Sequence, residues 1–144
     1  MLSREAQRKN KSLSRNAILK FVWKLLIAED DCSFITTDNP GVSIDTGTGE
    51  IKNTRFIGSF HYYFPLSGKY CLVIDGTQTD KRYLLRRKKN IEPVTIDKKT
   101  IEHINNYSTQ VVNDYVFGHN KEFLKGIIDL GLKAIRNTKN QVQQ

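Results

Sequence analysis

The sequence predicts an α+β domain: an N-terminal helix, an antiparallel sheet of about five to seven short strands, and two C-terminal helices. Three observations carry this. Apolar residues recur at helical spacing near both ends of the chain, and residues 33–96 break instead into short β-rich runs punctuated by Gly, Pro, Asp and Asn. The chain has 144 residues, 38% of them apolar, which is enough to bury one core and not two.

Residues 1–12 read as a polar, basic extension, 13–136 as the single domain and 137–144 as a polar tail. Leu13, Ala17, Ile18, Phe21, Val22, Leu25 and Leu26 share one face of a helix expected over 13–28, capped by Ser12 or Ser14. Lys20 and Lys24 lie four apart on its polar side. Next come a strand at Ser33–Thr36, closed by Asp38-Asn39-Pro40-Gly41, and a hairpin pairing 42–45 with 50–52 around Thr46-Gly47-Thr48-Gly49. Phe60 to Phe64 alternates aromatic side chains, with Phe60, Tyr62 and Phe64 on one face and His61 and Tyr63 on the other.

Tyr70 to Ile74 is continuously apolar, as a strand covered on both faces must be. Asp75-Gly76 reads as a turn leading into a pairing strand over 81–86, and 94–96 as a short last strand. Asp97 caps a helix whose face runs Ile101, Ile104, Asn105, Ser108, Val111, Val112, Tyr115 and Val116, and which Gly118 ends. Phe123, Leu124, Ile127, Ile128, Leu132 and Ile135 form the final helix.

Phe34-Ile35-Thr36-Thr37-Asp38-Asn39-Pro40, then Tyr63-Phe64-Pro65-Leu66-Ser67 leading into Tyr70-Cys71-Leu72-Val73-Ile74, resembles a widespread bacterial family of unknown function. Its members carry a T/S-S-D-N-P stretch, a later P-L-S-P and an Asn-bearing helix; the segment around Trp23 looks like theirs as well. The resemblance covers about residues 14–135 and the C-terminal half of a typical member, without the N-terminal half and its His-Pro motif. Thr37 stands where serine is commoner, and Gly68 where the second proline is. The resemblance implies a shared fold and a shared set of motif residues (Asp38, Asn39, Pro40, Pro65, Leu66, Ser67 and Asn105). It implies no activity, and it raises the expectation of a half-domain completed by a partner protein or a second copy.

The net charge of +8 is unevenly spread. Residues 1–24 carry +6, residues 25–80 carry −5, and residues 81–89 carry +6 without a single acid. Lys81, Arg82, Arg86, Arg87, Lys88 and Lys89, with the N-terminal basic helix, make a basic nucleic-acid-binding or interaction module the leading functional expectation, since such clusters release counterions from nucleic acid. The same residues also suit a solvated hairpin edge that resists strand pairing.

The alternative is a Mg²⁺-dependent nuclease. Asp38 or Asp45 followed by Glu50-Ile51-Lys52 matches an acid…E-x-K arrangement, in which two carboxylates hold the metal and the lysine stabilises the attacking water. No other cofactor is implied. Asp38 and Asn39 also have local work, because Pro40 forces an extended residue before it and Asx side chains bond their own backbone. Ser67 suits a turn hydroxyl, and Asn105 on an apolar face must find partners or cost a few kcal/mol.

His61, His103 and His119 make no pair at ligand spacing with one another or with Cys32 and Cys71. No G-x-S-x-G, P-loop or G-x-G-x-x-G occurs. The apolar run 17–28 is about a dozen residues where a bilayer needs roughly 20. Lys20, Lys24 and the acids at 29–31 break the signal-peptide pattern. A cytoplasmic protein without a membrane partner is expected.

Overall fold

In a computed structural model, residues 17–118, 121, 122, 124–126 and 129 are described. Their architecture is α+β. A mixed six-stranded sheet has the order β4-β3-β5-β6-β1-β7, made of β1 (Phe21–Ala28), β3 (Val42–Asp45), β4 (Ile51–Asn53), β5 (Phe60–Pro65), β6 (Tyr70–Thr79) and β7 (Ile91–Ile96). A second sheet pairs β2 (Thr36–Thr37) with β8 (Val116–Phe117). Helix α1 (Lys81–Arg86) links β6 to β7, and α2 (Lys98–Thr109) follows β7.

The expected helix over 13–28 is corrected. Among the described residues helix occurs there only at 17–19, and Phe21–Ala28 is a strand. An apolar run this dense satisfies spacings of two as well as of three and four, and position in the sheet decides between them. β1 pairs antiparallel with β6 and parallel with β7, so both its edges are occupied. Its faces divide accordingly. Leu26 and Ala28 join a core with Phe34, Cys71, Val73, Ile101 and Ile104, while Phe21 and Trp23 pack against Phe60, Tyr62 and Ile74 on the opposite face.

The hairpin forms as the sequence indicates, with Val42, Ser43 and Ile44 opposite Asn53, Lys52 and Ile51. The aromatic strand also forms, and Phe60 and Tyr62 are buried on one face. Tyr63 packs on the first core and stacks on Tyr107 of α2, with ring centroids 6.4 Å apart.

Asp75-Gly76 is not a turn, because β6 continues through it to Thr79. Gly76 is required by close approach: a Cβ there would lie 2.4 Å from a ring carbon of Phe60. The segment 81–86, expected as a strand, is helix α1, capped by Asp80, whose carboxylate accepts the Tyr83 amide. The sheet is therefore mixed rather than wholly antiparallel, since β7 returns to lie parallel to β1. Ser33 to Ile35 is irregular, and only Thr36 and Thr37 form a strand.

Helix α2 starts at Asp97 as expected and buries Ile101, Ile104, Asn105 and Ser108. It stops at Thr109, short of the expected Gly118, and Val116 is in β8 instead. The final helix expected over 123–135 lies largely outside the described residues, as do the extension 1–12 and the tail 137–144. Among the described residues no helix is long and apolar enough to cross a membrane.

Candidate functional site

The sheet has two chemically different ends. At one end the chain leaves β6, turns through α1 and enters β7 beside the start of β1. The basic cluster lies here. Lys81, Arg82, Arg86, Arg87 and Lys88 are exposed, and among the described residues none of the five forms an ion pair.

Arg87 closes α1 in the left-handed region, at φ 53°, its amide donating to the Tyr83 carbonyl and its guanidinium 6.0 Å from the Tyr83 ring. Lys89 differs from its neighbours. Its ammonium is 2.9 Å from Asp80 Oδ2, donates to the carbonyls of Leu19 and Phe21, and lies over the rings of Trp23 and Tyr83. It holds the helix in place and is not available to a ligand.

The same contacts draw the first basic segment to the second. The Asp80 amide donates to the Lys20 carbonyl at 2.7 Å, which sets the exposed Lys20 at the start of α1. A cavity of about 560 Å³ opens beside the helix, with Trp23, Lys81 and Arg82 on its wall.

The far end of the sheet carries the motif residues, and each has a defined bonding role. Asp38 accepts the amides of Asp114 and Asn113 at 2.9 and 3.2 Å, and these bonds hold its carboxyl below the ordinary carboxylate range. Asn39 donates to the Val111 carbonyl and accepts from the Asn53 side chain. Thr37 bonds Asn39 both ways through its hydroxyl. Pro40 is exposed at the turn. The Asp-Asn-Pro segment thus ties the loop after α2 to the hairpin.

Asn105 is fully buried, accepting from the Ile35 amide and donating to the Ser33 carbonyl, both at 2.9 Å. A tie from the helix is what its position on an apolar face requires, and the 33–35 segment supplies both partners. Ser67 accepts the amides of Lys69 and Tyr70 and sets the β5–β6 turn, with Pro65 buried before it and Leu66 exposed. Thr36, Ser67, Gly68 and Phe117 border one cavity of about 270 Å³.

Of the nuclease candidates, Asp45, Glu50 and Lys52 border one pocket beside the hairpin, while Asp38 is bonded to the loop after α2. Glu50 is paired with Lys52 at 3.1 Å and Arg55 at 3.7 Å, and Asp45 accepts the amides of Gly47 and Thr48 in its own turn. Among the described residues no group of three or more His, Cys, Asp or Glu side chains is placed to hold a metal ion. Cys71 is buried, its thiol pushed up to about 12 by desolvation, which leaves it a packing residue.

Two features escape a reading by motif. His61 Nε2 is 3.4 Å from the buried carboxylate of Asp75, which also accepts from the Thr77 amide and hydroxyl. A turn reading of Asp75-Gly76 hides that pairing, because it removes Asp75 from the strand opposite His61. The other is Leu84 and Leu85, 47% and 84% exposed within the basic segment. The Asp-x-x-Tyr spacing at 80–83 is the available signal for the helix that exposes them.

An α+β domain with a basic helix at one end of its sheet and a hydrogen-bonded Asp-Asn-Pro corner at the other is the class of protein these features define. The chain belongs to the family described as Protein of unknown function (DUF4238), whose model matches residues 5–122. Neither the curated proteins nor the solved structures hold a match to it.

Proposed function

We propose that the protein is a nucleic-acid-binding module that holds the phosphate backbone through α1 and the segment after it, with Lys81, Arg82, Arg86, Arg87 and Lys88 as the contacting residues. The observation that carries this reading is five exposed cations within eight residues, none ion-paired among the described residues, with Lys20 bonded alongside. Cations gathered this closely repel one another in the free protein. A polyphosphate relieves that repulsion and gains the entropy of its released counterions. Lys89 is excluded because its ammonium is committed to Asp80 and to the backbone of β1.

The test is fluorescence anisotropy of single-stranded DNA, RNA and duplex DNA across a salt series, for the wild type and for Arg86→Ser/Arg87→Ser/Lys88→Ser. Affinity should fall steeply with salt, and the triple variant should reduce the logarithmic slope by about 2 to 3, since each lost phosphate contact removes nearly one. Absence of binding at low salt overturns the proposal.

A further inference from the structure

The phosphate reading leaves Leu84 and Leu85 without a role, although they lie in the middle of the basic segment. Tyr83 is the buried anchor of α1, and Leu85 stands about 200° further around the helix, so it points away from the body of the protein. Lys81 and Arg82, four and three residues earlier, share that outer face with it. The most exposed large apolar side chain of the described residues is therefore bracketed by cations.

The helix beneath it is fixed at both ends. Asp80 caps its start, the left-handed Arg87 closes it, and Lys89 binds the cap to the backbone of β1. An apolar tip held this rigidly cannot fold back onto the surface.

Resting on the phosphate reading above, we propose that the ligand is duplex nucleic acid opened at a base step, with Leu85 as the inserted side chain and Leu84 beside it. Apolar wedges flanked by phosphate-binding cations are how proteins unstack and kink a duplex. The inner faces of a parted step supply the apolar surroundings that a phosphate backbone lacks. The geometry favours a base step over a lipid surface. α1 is only six residues long, about 9 Å, and shows two apolar side chains, whereas an interfacial helix lays down a broad stripe.

The experiment uses the full chain and two duplexes carrying 2-aminopurine, one fully paired and one with a mismatch beside the probe. A mismatched step is already partly unstacked and should bind about tenfold more tightly. Binding should also raise the 2-aminopurine fluorescence. Leu84→Ser/Leu85→Ser should lose the preference and the fluorescence change yet keep the salt slope, and Leu85→Phe, which restores an apolar wedge, should keep both. Both leucines are exposed, and an unchanged melting temperature verifies that the serine variant is folded.

Equal binding of the two duplexes, with no fluorescence change and no effect of the leucine variant, overturns the wedge and leaves the phosphate reading standing. Salt-dependent binding to single strands but to no duplex overturns the wedge alone, and its absence with single strands and duplexes alike overturns both. Leucine-dependent binding to phosphatidylserine vesicles, with none to duplex, also overturns both and assigns the surface to lipid.

Discussion

Lys89 Nζ and Asp80 Oδ2 are 2.9 Å apart, and with side chains only 14% and 12% exposed they close the loop that contains α1. Asp80 thereby serves two groups at once, accepting the Tyr83 amide that starts the helix and the ammonium that anchors its far side. Lys89→Met should destabilise the fold by about 1.5–3 kcal/mol, the range for hydrogen bonds to charged groups, whereas Lys88→Met should change stability little. Urea denaturation of the two variants checks this.

The same pair makes part of the stability depend on acid. The Lys89 ammonium, followed by the Tyr83 amide, holds the Asp80 carboxyl below its ordinary value of 3.8. A depressed carboxylate stabilises the fold fully above that unfolded value, and the contribution disappears as pH falls through the lower folded one. Melting temperatures measured from pH 5 downward should fall less steeply in Lys89→Met than in the wild type.

Asp38 should behave as a separate local acid switch. Because its depressed carboxyl is held by the Asp114 and Asn113 amides, the Asn113 amide shift should titrate with a midpoint below 3.8. In Asp38→Asn that titration should vanish while the sheet resonances stay in place. An Asn113 midpoint at or above the ordinary value would mean that the corner is not closed in solution.

Asn105→Ala removes both hydrogen bonds of a fully buried tie between α2 and the 33–35 segment. It leaves the Ile35 amide and the Ser33 carbonyl unpaired, and should cost about 2–4 kcal/mol in denaturant unfolding. Asn106→Ala, on the exposed face one residue on, should be close to neutral.

Gly76→Ala would place a methyl group 2.4 Å from the Phe60 ring, which is itself buried. Overpacking of this kind should lower stability by about 1–3 kcal/mol, and Phe60→Leu in the same chain should recover part of the loss. Thermal melts of the two single variants and the double variant check this coupling.

The parts of the fold legible in the sequence are those where one local rule acts without competition. The Thr46–Gly49 turn, the alternating aromatics of β5 and the Asp97 cap with its four buried helix residues all belong to this group. The strand 21–28 was hidden because its apolar residues satisfy two periods, and only the neighbours β6 and β7, far along the chain, select one. Asp75-Gly76 carries turn residues for tertiary reasons: Asp75 faces His61 and Thr77, and Gly76 admits the Phe60 ring.

At the candidate site the sequence shows which residues carry charge but not which charges are free. Lys88 and Lys89 are identical neighbours, and only the fold separates an exposed cation from one committed to Asp80. Asn105 needed a partner on any reading, but which backbone groups would supply it depended on how residues 33–35 cross the helix.

The place of β1 in the sheet has a consequence for the order of synthesis. Its hydrogen-bonding partners are residues 70–79 on one side and 91–96 on the other. β1 therefore emerges from the ribosome long before either partner exists, with Phe21, Trp23, Leu25 and Ile27 lacking their final neighbours. Pairings this distant close slowly, and unpaired apolar strands are the species that chaperones hold. The hairpin and the β5–β6 pair close over short loops, whereas β1 finds its place only once the chain has been made as far as β6 on one edge and β7 on the other.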